Sequence, residues 1–424
     1  MILLICSLVQ AQSLTLDRLM EGVDTRLPYL GASSAKVDQA AAKVTSAGVV
    51  NDPYILGSWA SEDGVPGVED GSLSFVQPTS LGPTMALNWD GSVANGTPSA
   101  ELSVPILDGL IWGDSRLELV SARLRFGIQQ ATLDLDILLS RGKAAETWWK
   151  WVAYGRKLDL AERQLALAVQ RNSALERGLE VGQRSRLDLI DNQRALLSRK
   201  SSSIQAKQEL DNAAVSLSLW WRDAQGRPQT PARDQLPQAW GWGEPRLDLA
   251  WDMTQLEQRP DVIVLDLVLE LADAELRRAQ NQALPKVDVK AKVEPDKVSG
   301  GLALEVPILM RKERGSLSYA RAELERVAFL RQGALDQLAA DLQQAHLVVQ
   351  ASWDRVVIAR QALAVAQEAL SMERTAFELG GSEVFRLVLR EGQLADAEKS
   401  VIEAELSYGL ADLRRRMVIG LGPL

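Results

Sequence analysis

The chain has 424 residues and a formal net charge of −9, so it offers no basic surface of the kind that nucleic-acid-binding proteins use. It contains one histidine, His346, and one cysteine, Cys6. Zinc sites, Cys–His nucleophiles and Ser–His–Asp triads need more of these side chains, so the composition argues against enzymes that use them. We expect no catalytic residue, no cofactor and no bound metal.

The first residues form a short apolar stretch that ends in small residues around Ala11, a pattern that signal peptidase accepts. We therefore predict a signal peptide over residues 1–11. The basic residues that usually open such a peptide are missing, which leaves a truncated start and a weak signal as alternatives. Cleavage after Ala11 would remove Cys6, which suits an oxidising compartment. The sequence after residue 12 lacks an apolar run of about 18 residues and predicts no transmembrane helix.

The rest of the sequence contains one pattern twice. A helix, a β-hairpin and longer helices follow one another in both copies, which we call the first and second repeats. Such duplication predicts a pseudo-symmetric architecture rather than an enzyme cleft. The recurring residues are Pro28 with Pro260, Pro53 with Pro285, and Gly182 with Gly380.

We predict the first repeat over 12–222. Its first helix covers 15–48 and breaks near Pro28. A β-hairpin occupies 51–107, and we expect its extra length to form an external loop. Long helices cover 113–222, with seams of coiled-coil spacing. The strand-like pieces of the hairpin are 54–60, 85–89 and 102–106.

An inter-repeat segment, 223–253, is rich in turn residues and separates the two repeats. Its tryptophans, with the pair before them, favour a small satellite core over a ligand-binding cage. The second repeat covers 254–424, with a helix near its start, a compact hairpin at 286–308 and long helices over 313–420. The tryptophans are Trp220, Trp221, Trp240, Trp242 and Trp251.

The second hairpin alternates strictly between apolar and charged residues, as in Val287, Asp288, Val289 and Lys290. Its apolar face would cover a core in a soluble protein or face lipid in an outer-membrane barrel. We expect about two strands in each repeat, hence four in each chain. Four strands cannot close a barrel, and an open sheet edge is not tolerated in lipid, so closure would require several chains. Three chains would give twelve strands.

Several segments resemble the outer-membrane efflux proteins, the TolC-like channel-tunnels, over almost the whole mature chain. Their order and double occurrence carry the resemblance, since no single motif is diagnostic. The segments are Gln258-Arg-Pro-Asp261, Leu284-Pro-Lys-Val-Asp-Val289, Leu304-Glu-Val-Pro-Ile-Leu309, 181–196 and 379–387.

The resemblance implies a mostly α fold with a small β part. It implies a homotrimer whose twelve-stranded barrel lies in the outer membrane of a Gram-negative bacterium and continues into a periplasmic α-helical coiled-coil tunnel. It also implies two protein partners, a periplasmic adaptor and an inner-membrane transporter. The residues that match the family's adaptor-contacting tips are Val181, Gly182, Gln183, Leu379, Gly380 and Gly381.

Glycine suits such tips because a tight turn between antiparallel helices needs a positive φ, although each glycine could equally end a helix. The family often places aspartates just past these turns, where they ring the narrowest point of the tunnel. The first repeat supplies Asp188 and Asp191, whereas the second repeat has Arg386 at a corresponding position. We therefore hypothesise a gate contact between Asp188 and Arg386; the alternative is that these charges form a solvated helix face.

The sequence thus favours a passive channel-tunnel of a tripartite efflux or type I secretion system. Such a duct performs no chemistry and lets out substrates that an inner-membrane pump delivers. The alternative is a soluble or peripheral α-helical coiled-coil scaffold without channel activity. An enzyme is disfavoured because the acidic residues follow helix-surface spacings rather than clustering on loops.

Overall fold

A computed structural model of the chain describes most of its residues. The described ranges are 13–60, 70–79, 82–91, 96–106, 114–183, 185–237, 253–306 and 309–423. The predicted signal peptide with Cys6, and three inter-repeat tryptophans, lie outside these ranges. Those tryptophans are Trp240, Trp242 and Trp251.

Helices dominate the described residues, and a single sheet accounts for the strands. The helices are α1 (Leu16–Arg26), α2 (Pro28–Gly48), α3 (Asp114–Glu180), α4 (Arg186–Ser218), α5 (Met253–Glu257), α6 (Pro260–Gln282), α7 (Arg311–Glu378) and α8 (Val384–Val418). The strands are β1 (Tyr54–Ala60), β2 (Asp70–Pro78), β3 (Thr84–Asp90), β4 (Thr97–Pro105), β5 (Lys286–Glu294) and β6 (Lys297–Glu305).

Proline positions mark the helix starts that the sequence predicts. The break near Pro28 is confirmed, since α1 ends at Arg26 and Pro28 is the first residue of α2. Pro260 occupies the first turn of α6, where its missing N–H leaves no hydrogen bond unmade. The two longest helices have 67 residues in α3 and 68 in α7, so each is about 100 Å long at 1.5 Å per residue.

The six strands form one antiparallel sheet in the order β1-β2-β3-β4-β5-β6. The pairing of β4 with β5, for example Val104 opposite Val289, joins the strands of the two repeats. The second repeat forms the expected two-stranded hairpin, with residues 307–308 of its predicted range outside the described residues.

The expectation of two strands and an external loop in 51–107 is wrong. This segment contributes four strands, because β2 and β3 form a second antiparallel pair between β1 and β4. The chain therefore has six described strands rather than four. The count of twelve barrel strands rests on four strands in each chain, and that number of strands per chain is wrong.

The chain divides into two compact units. The first, here the helical unit, consists of Met1–Gly31, Asp136–Leu256 and Gln337–Leu424. The second, here the sheet unit, consists of Ala32–Leu135 and Glu257–Asp336 and contains all six strands.

The main core of the helical unit is rich in tryptophan. The side chains of Trp151, Leu19 and Leu217 are fully buried. The indole Nε1 of Trp148 donates a hydrogen bond of 2.8 Å to the backbone oxygen of Leu14, which satisfies a buried polar group. Trp221 belongs to this same cluster, so it packs in the main core of the helical unit rather than in the small satellite core that the sequence predicts.

A second core lies between α7 and α8. Val349 and Val356 of α7 pack with Tyr408 and Ala411 of α8, and all four are buried. The ring centroids of Trp353 and Tyr408 are 5.1 Å apart. Val356 thus lies on a seam of α7 that is buried against α8.

Candidate functional site

One face of the sheet is apolar across all six strands. Residues that lie directly opposite each other in paired strands point to the same side, so the register fixes the composition of each face. One such row crosses the entire sheet without a polar residue. The row is Ile55, Phe75, Leu87, Ala100, Val293 and Val298.

Neighbouring rows of the same face have the same character. Among the side chains that the structure describes on this face, Gln77 is the one polar residue. Many of the others are open to solvent in the single chain, and Leu302 is 74% exposed. The further members include Leu73, Met85, Trp89, Leu102, Val104, Val287, Val289, Ala291 and Leu304.

The opposite face is charged in β5 and mostly polar elsewhere, although Leu56, Val76 and Ala86 also lie on it. Lys292 and Glu294, two positions apart in β5, form an ion pair of 3.0 Å on that face. Serines and an asparagine continue the polar character through β2 and β3. A sheet with one exposed apolar face and one charged face separates an apolar from an aqueous environment.

Both edges of the sheet are open in the described part of the chain, since β1 pairs only with β2 and β6 only with β5. Each edge therefore presents unpaired backbone N–H and C=O groups, which are a template for another strand. In an apolar solvent each unpaired group would cost several kcal/mol, on the order of a lost hydrogen bond in hydrocarbon. Further strands must cover these edges if the apolar face meets lipid.

The predicted tips are two copies of one helix-ending turn. Gly182 has φ +73° and Gly380 has φ +76°. In the first tip, Gln183 N–H donates to the Gly178 carbonyl at 2.8 Å. In the second tip, the equivalent bond from Gly381 also measures 2.8 Å. Both turns are Schellman motifs, in which a residue with positive φ closes the helix.

The helices that leave the two tips begin differently. Ser185 caps α4, and its hydroxyl accepts from the Asp188 N–H at 3.1 Å while the Asp188 carboxylate accepts from Ser185 in return. In α8 the N-cap residue is Glu383, whose side chain makes no capping hydrogen bond. The pseudo-symmetry of the tips thus stops at the second helix.

The hypothesised contact between Asp188 and Arg386 is not formed in the described chain. The carboxylate of Asp188 is engaged by the cap of its own helix, and Arg386 is exposed on α8. Asp191 is half-buried, one turn further along α4. Local capping therefore competes with the long-range contact that the sequence suggested.

The fold is similar to that of several solved outer-membrane proteins. VceC of Vibrio cholerae aligns with a TM-score of 0.70 and 16% identity, covering 96% of each chain. The CmeC channel of Campylobacter jejuni aligns with a TM-score of 0.72 and 14% identity, over 96% of this chain and 85% of that one. The MtrE channel of Neisseria gonorrhoeae, in its open state, gives 0.71 and 16%, over 96% and 89%.

This chain has the outer-membrane channel fold. The similarity extends over both repeats, and the expected resemblance to channel-tunnels is confirmed at the level of the fold. No protein-family model and no curated protein sequence matches the chain.

The channel fold of this chain contains a buried ionic cluster that sequence reasoning missed. Glu391 of α8 has a side chain only 3% exposed and forms a salt bridge with Arg171 of α3. Arg199 of α4 lies 3.7 Å from the same carboxylate and also hydrogen-bonds to Gln164. Burial lowers the pKa of Arg199, and the charge of Glu391 opposes that shift.

This cluster joins α8 of the second repeat to α3 and α4 of the first repeat. Asn192 is fully buried beside it and donates at 3.3 Å to the carbonyl oxygen of Ala168, linking α4 to α3. Arg171 and Glu391 are 220 positions apart. The sequence offers one signal for this contact, which is that Arg171 and Glu391 are equally far from the glycines of their own tips. Arg171 precedes Gly182 by as many positions as Glu391 follows Gly380, which places the two side chains level when the tips are level.

Two other kinds of site are absent from the described residues. No helix there combines the length and the apolar character that a membrane span requires. No group of three or more His, Cys, Asp or Glu residues in the same ranges is placed to hold a metal ion.

Proposed function

We propose that this chain is an outer-membrane channel-tunnel, a passive exit duct of a tripartite efflux or type I secretion system. The apolar sheet face carries the proposal, because it is continuous over six strands and exposed in the single chain. Lipid is the environment that satisfies such a face, with the charged face lining water. The channel fold supports the same conclusion.

The chain acts as a homotrimer in this proposal. Six strands are too few to enclose a pore, so the open edges of β1 and β6 pair with those of neighbouring copies. Three copies with six strands each bring eighteen strands to the wall, in place of the twelve expected from the sequence. The outer-membrane lipid covers the outward face of this wall.

The helical tips contact a periplasmic adaptor, which connects the duct to an inner-membrane transporter. Val181 and Leu379 support this role because both are large, apolar and mostly exposed at the tips. An exposed apolar side chain beside a rigid glycine turn is a typical anchor for a protein partner. Asp188, Asp191 and Arg386 contribute charge to the narrow end of the tunnel.

Channel formation is tested on protein extracted from outer membranes with detergent. We expect a native mass three times that of one chain, heat-modifiable migration, and discrete ion-conductance steps across a planar lipid bilayer. A freely soluble single chain that never conducts would contradict the proposal and favour the helical scaffold instead.

A further inference from the structure

The sheet unit contains a cavity of about 680 Å³ between α2, α3 and the last turns of α6. All the residues that line it belong to this unit. Its volume falls within the range of about 300–1,000 Å³ that is typical of small-molecule sites. The cavity shares no residue with the apolar sheet face or with the tips, which support the proposed function.

The floor of the cavity consists of buried residues, most of them small. Ala40 and Ala47 of α2 and Leu117 of α3 line the cavity, and each is less than 10% exposed. The two alanines are seven residues apart, so they lie on the same face of α2. Because an alanine side chain ends at Cβ, these positions leave open the space that longer side chains would fill.

Ser121 of α3 adds a polar group to this floor. It lines the cavity, is only 8% exposed, and forms no hydrogen bond with any residue that the structure describes. A buried hydroxyl without a partner is costly, and native proteins almost always provide one. A ligand in the cavity would supply the missing hydrogen bond.

Three basic side chains lie around the mouth of the cavity. Lys36 and Lys43 of α2 are about 10 Å apart along the helix axis, at 1.5 Å per residue. Arg125 lines the cavity from α3, which runs in the opposite direction because α2 leads into the sheet and α3 leaves it. All three side chains are exposed, and in the described ranges none of them forms an ion pair or a hydrogen bond.

The cavity is positively charged, although the chain as a whole has a net charge of −9. Four basic and two acidic side chains line it, which leaves a net charge of +2. The further members of this set are Arg278, Glu118 and Glu275. Like charges around one cavity repel each other, and a bound dianion would replace this repulsion by charge-assisted hydrogen bonds.

The remaining polar side chains suit hydroxyl groups. Glu118 and Glu275 form no ion pair or hydrogen bond with the described residues, so both carboxylates are available to a ligand. A carboxylate repels phosphate but accepts hydrogen bonds from hydroxyls, and the carboxamides of Gln39 and Gln129 can donate and accept. The lining therefore fits a molecule that carries several hydroxyls beside its negative charge.

We propose that this cavity binds a phosphorylated sugar. A phosphate monoester has a charge of about −1.5 to −2 at pH 7, which matches the net charge of the lining. Its phosphate lies among Lys36, Lys43 and Arg125, whose guanidinium can bind two phosphate oxygens at once. Its hydroxyls meet Glu275 and Ser121. Because all the lining residues lie in one unit of one chain, the inference does not depend on the proposed channel activity.

Calorimetric titration of the full, detergent-solubilised protein with glucose 1-phosphate tests the site. We expect saturable binding of one molecule per chain, and at least tenfold weaker binding by Arg125→Gln. Arg123→Gln is the matched control. Arg123 is exposed and unpaired among the described residues, but it lies about 200° around α3 and outside the lining.

We expect Arg123→Gln to change the affinity by less than twofold. Equal weakening by the two substitutions would show a general effect of charge and would overturn the site. The double variant Lys36→Gln with Lys43→Gln repeats the test on α2 in case Arg125→Gln disturbs folding, and it should also bind at least tenfold more weakly.

Inorganic phosphate tests the recognition of the sugar. We expect it to bind at least tenfold more weakly than glucose 1-phosphate. Glu275→Gln should weaken the binding of glucose 1-phosphate at least threefold without weakening that of phosphate, because it alters a hydrogen-bond acceptor and removes a repulsive charge. Equal affinity for the two probes, or equal tightening of both by Glu275→Gln, would overturn the assignment to a sugar.

A phosphorylated sugar can be a free solute or the headgroup of a glycolipid. The titration is therefore repeated with a phosphorylated glycolipid in detergent micelles. Binding of the glycolipid without glucose 1-phosphate would support the inference and identify a membrane source, whereas a folded protein that binds neither would overturn it. Conductance across a planar bilayer is measured separately, so a conducting protein without binding would overturn the site and leave the channel standing.

Discussion

Gly182 and Gly380 occupy equivalent positions of the two repeats and have φ values within a few degrees of each other. In this region a side chain with Cβ clashes with the following carbonyl oxygen, so glycine is the residue with the lowest cost. The neighbouring Gly381 has no positive φ, and a Cβ there would lie 3.5 Å from the Ala376 oxygen, an ordinary contact. The two adjacent glycines therefore differ in what they contribute.

We predict that Gly380→Ala lowers the free energy of unfolding by about 1–2 kcal/mol, because alanine must adopt a left-handed conformation. Denaturant unfolding of the detergent-solubilised protein, followed by circular dichroism, measures the change. Gly381→Ala is the control and should change stability by no more than about 0.5 kcal/mol. Equal effects of the two substitutions would show that the turn does not depend on φ.

At the scale of helices, the cluster around Glu391 holds α8 to α3 and α4. Its carboxylate is buried, as are most of the two guanidinium groups that surround it. Removing one partner of such a group leaves buried charge without compensation, which costs more than the intact pair contributes. The intact cluster therefore adds little net stability, because the desolvation of its charges offsets their attraction.

We predict that Glu391→Gln lowers the free energy of unfolding by about 3–5 kcal/mol, because it leaves Arg171 and Arg199 buried without a counter-charge. Glu403→Gln is the matched control on the same helix. Glu403 pairs with Lys157 at 2.7 Å, but its side chain is half exposed, so the expected loss is below about 1 kcal/mol. If Glu391→Gln also lowered the free energy of unfolding by less than about 1 kcal/mol, solvent would have to reach the cluster.

At the scale of the whole molecule, the two faces of the sheet suit different environments. The apolar face crosses from β1 to β6 without interruption by charge in the described residues, and the charged side chains of β5 lie on the other face. Adjacent residues in a strand point to opposite faces, so neighbouring positions test opposite environments with the same substitution.

Leu302 and Ala303 offer this comparison in β6. We predict that Leu302→Lys reduces the fraction of heat-modifiable oligomer in outer membranes, since a lysine facing lipid costs about 2–4 kcal/mol near the bilayer centre. Ala303→Lys, on the charged face, should assemble as the unchanged protein does. Gel migration of unheated membrane samples measures both, and normal assembly of the Leu302 variant would contradict a lipid-facing role.

Local patterns in the sequence determined the helices, the tip turns and the second hairpin. Helical spacing, proline at a helix start and strict alternation in β5 act over a few residues, so they are readable without knowledge of the fold. The same locality explains why the sequence does not predict β2. This strand begins with Asp70-Gly-Ser, whose low strand propensity is overridden by pairing with β1 and β3.

Tertiary structure alone decided the strand count and the cluster around Glu391. Each depends on which residues meet after the chain folds, and Arg171 meets Glu391 across 220 positions. Spacing within a helix shows which residues share a face, but not which other helix covers that face. Only packing selects the partner, because burial rewards any apolar surface in proportion to its area, regardless of its sequence.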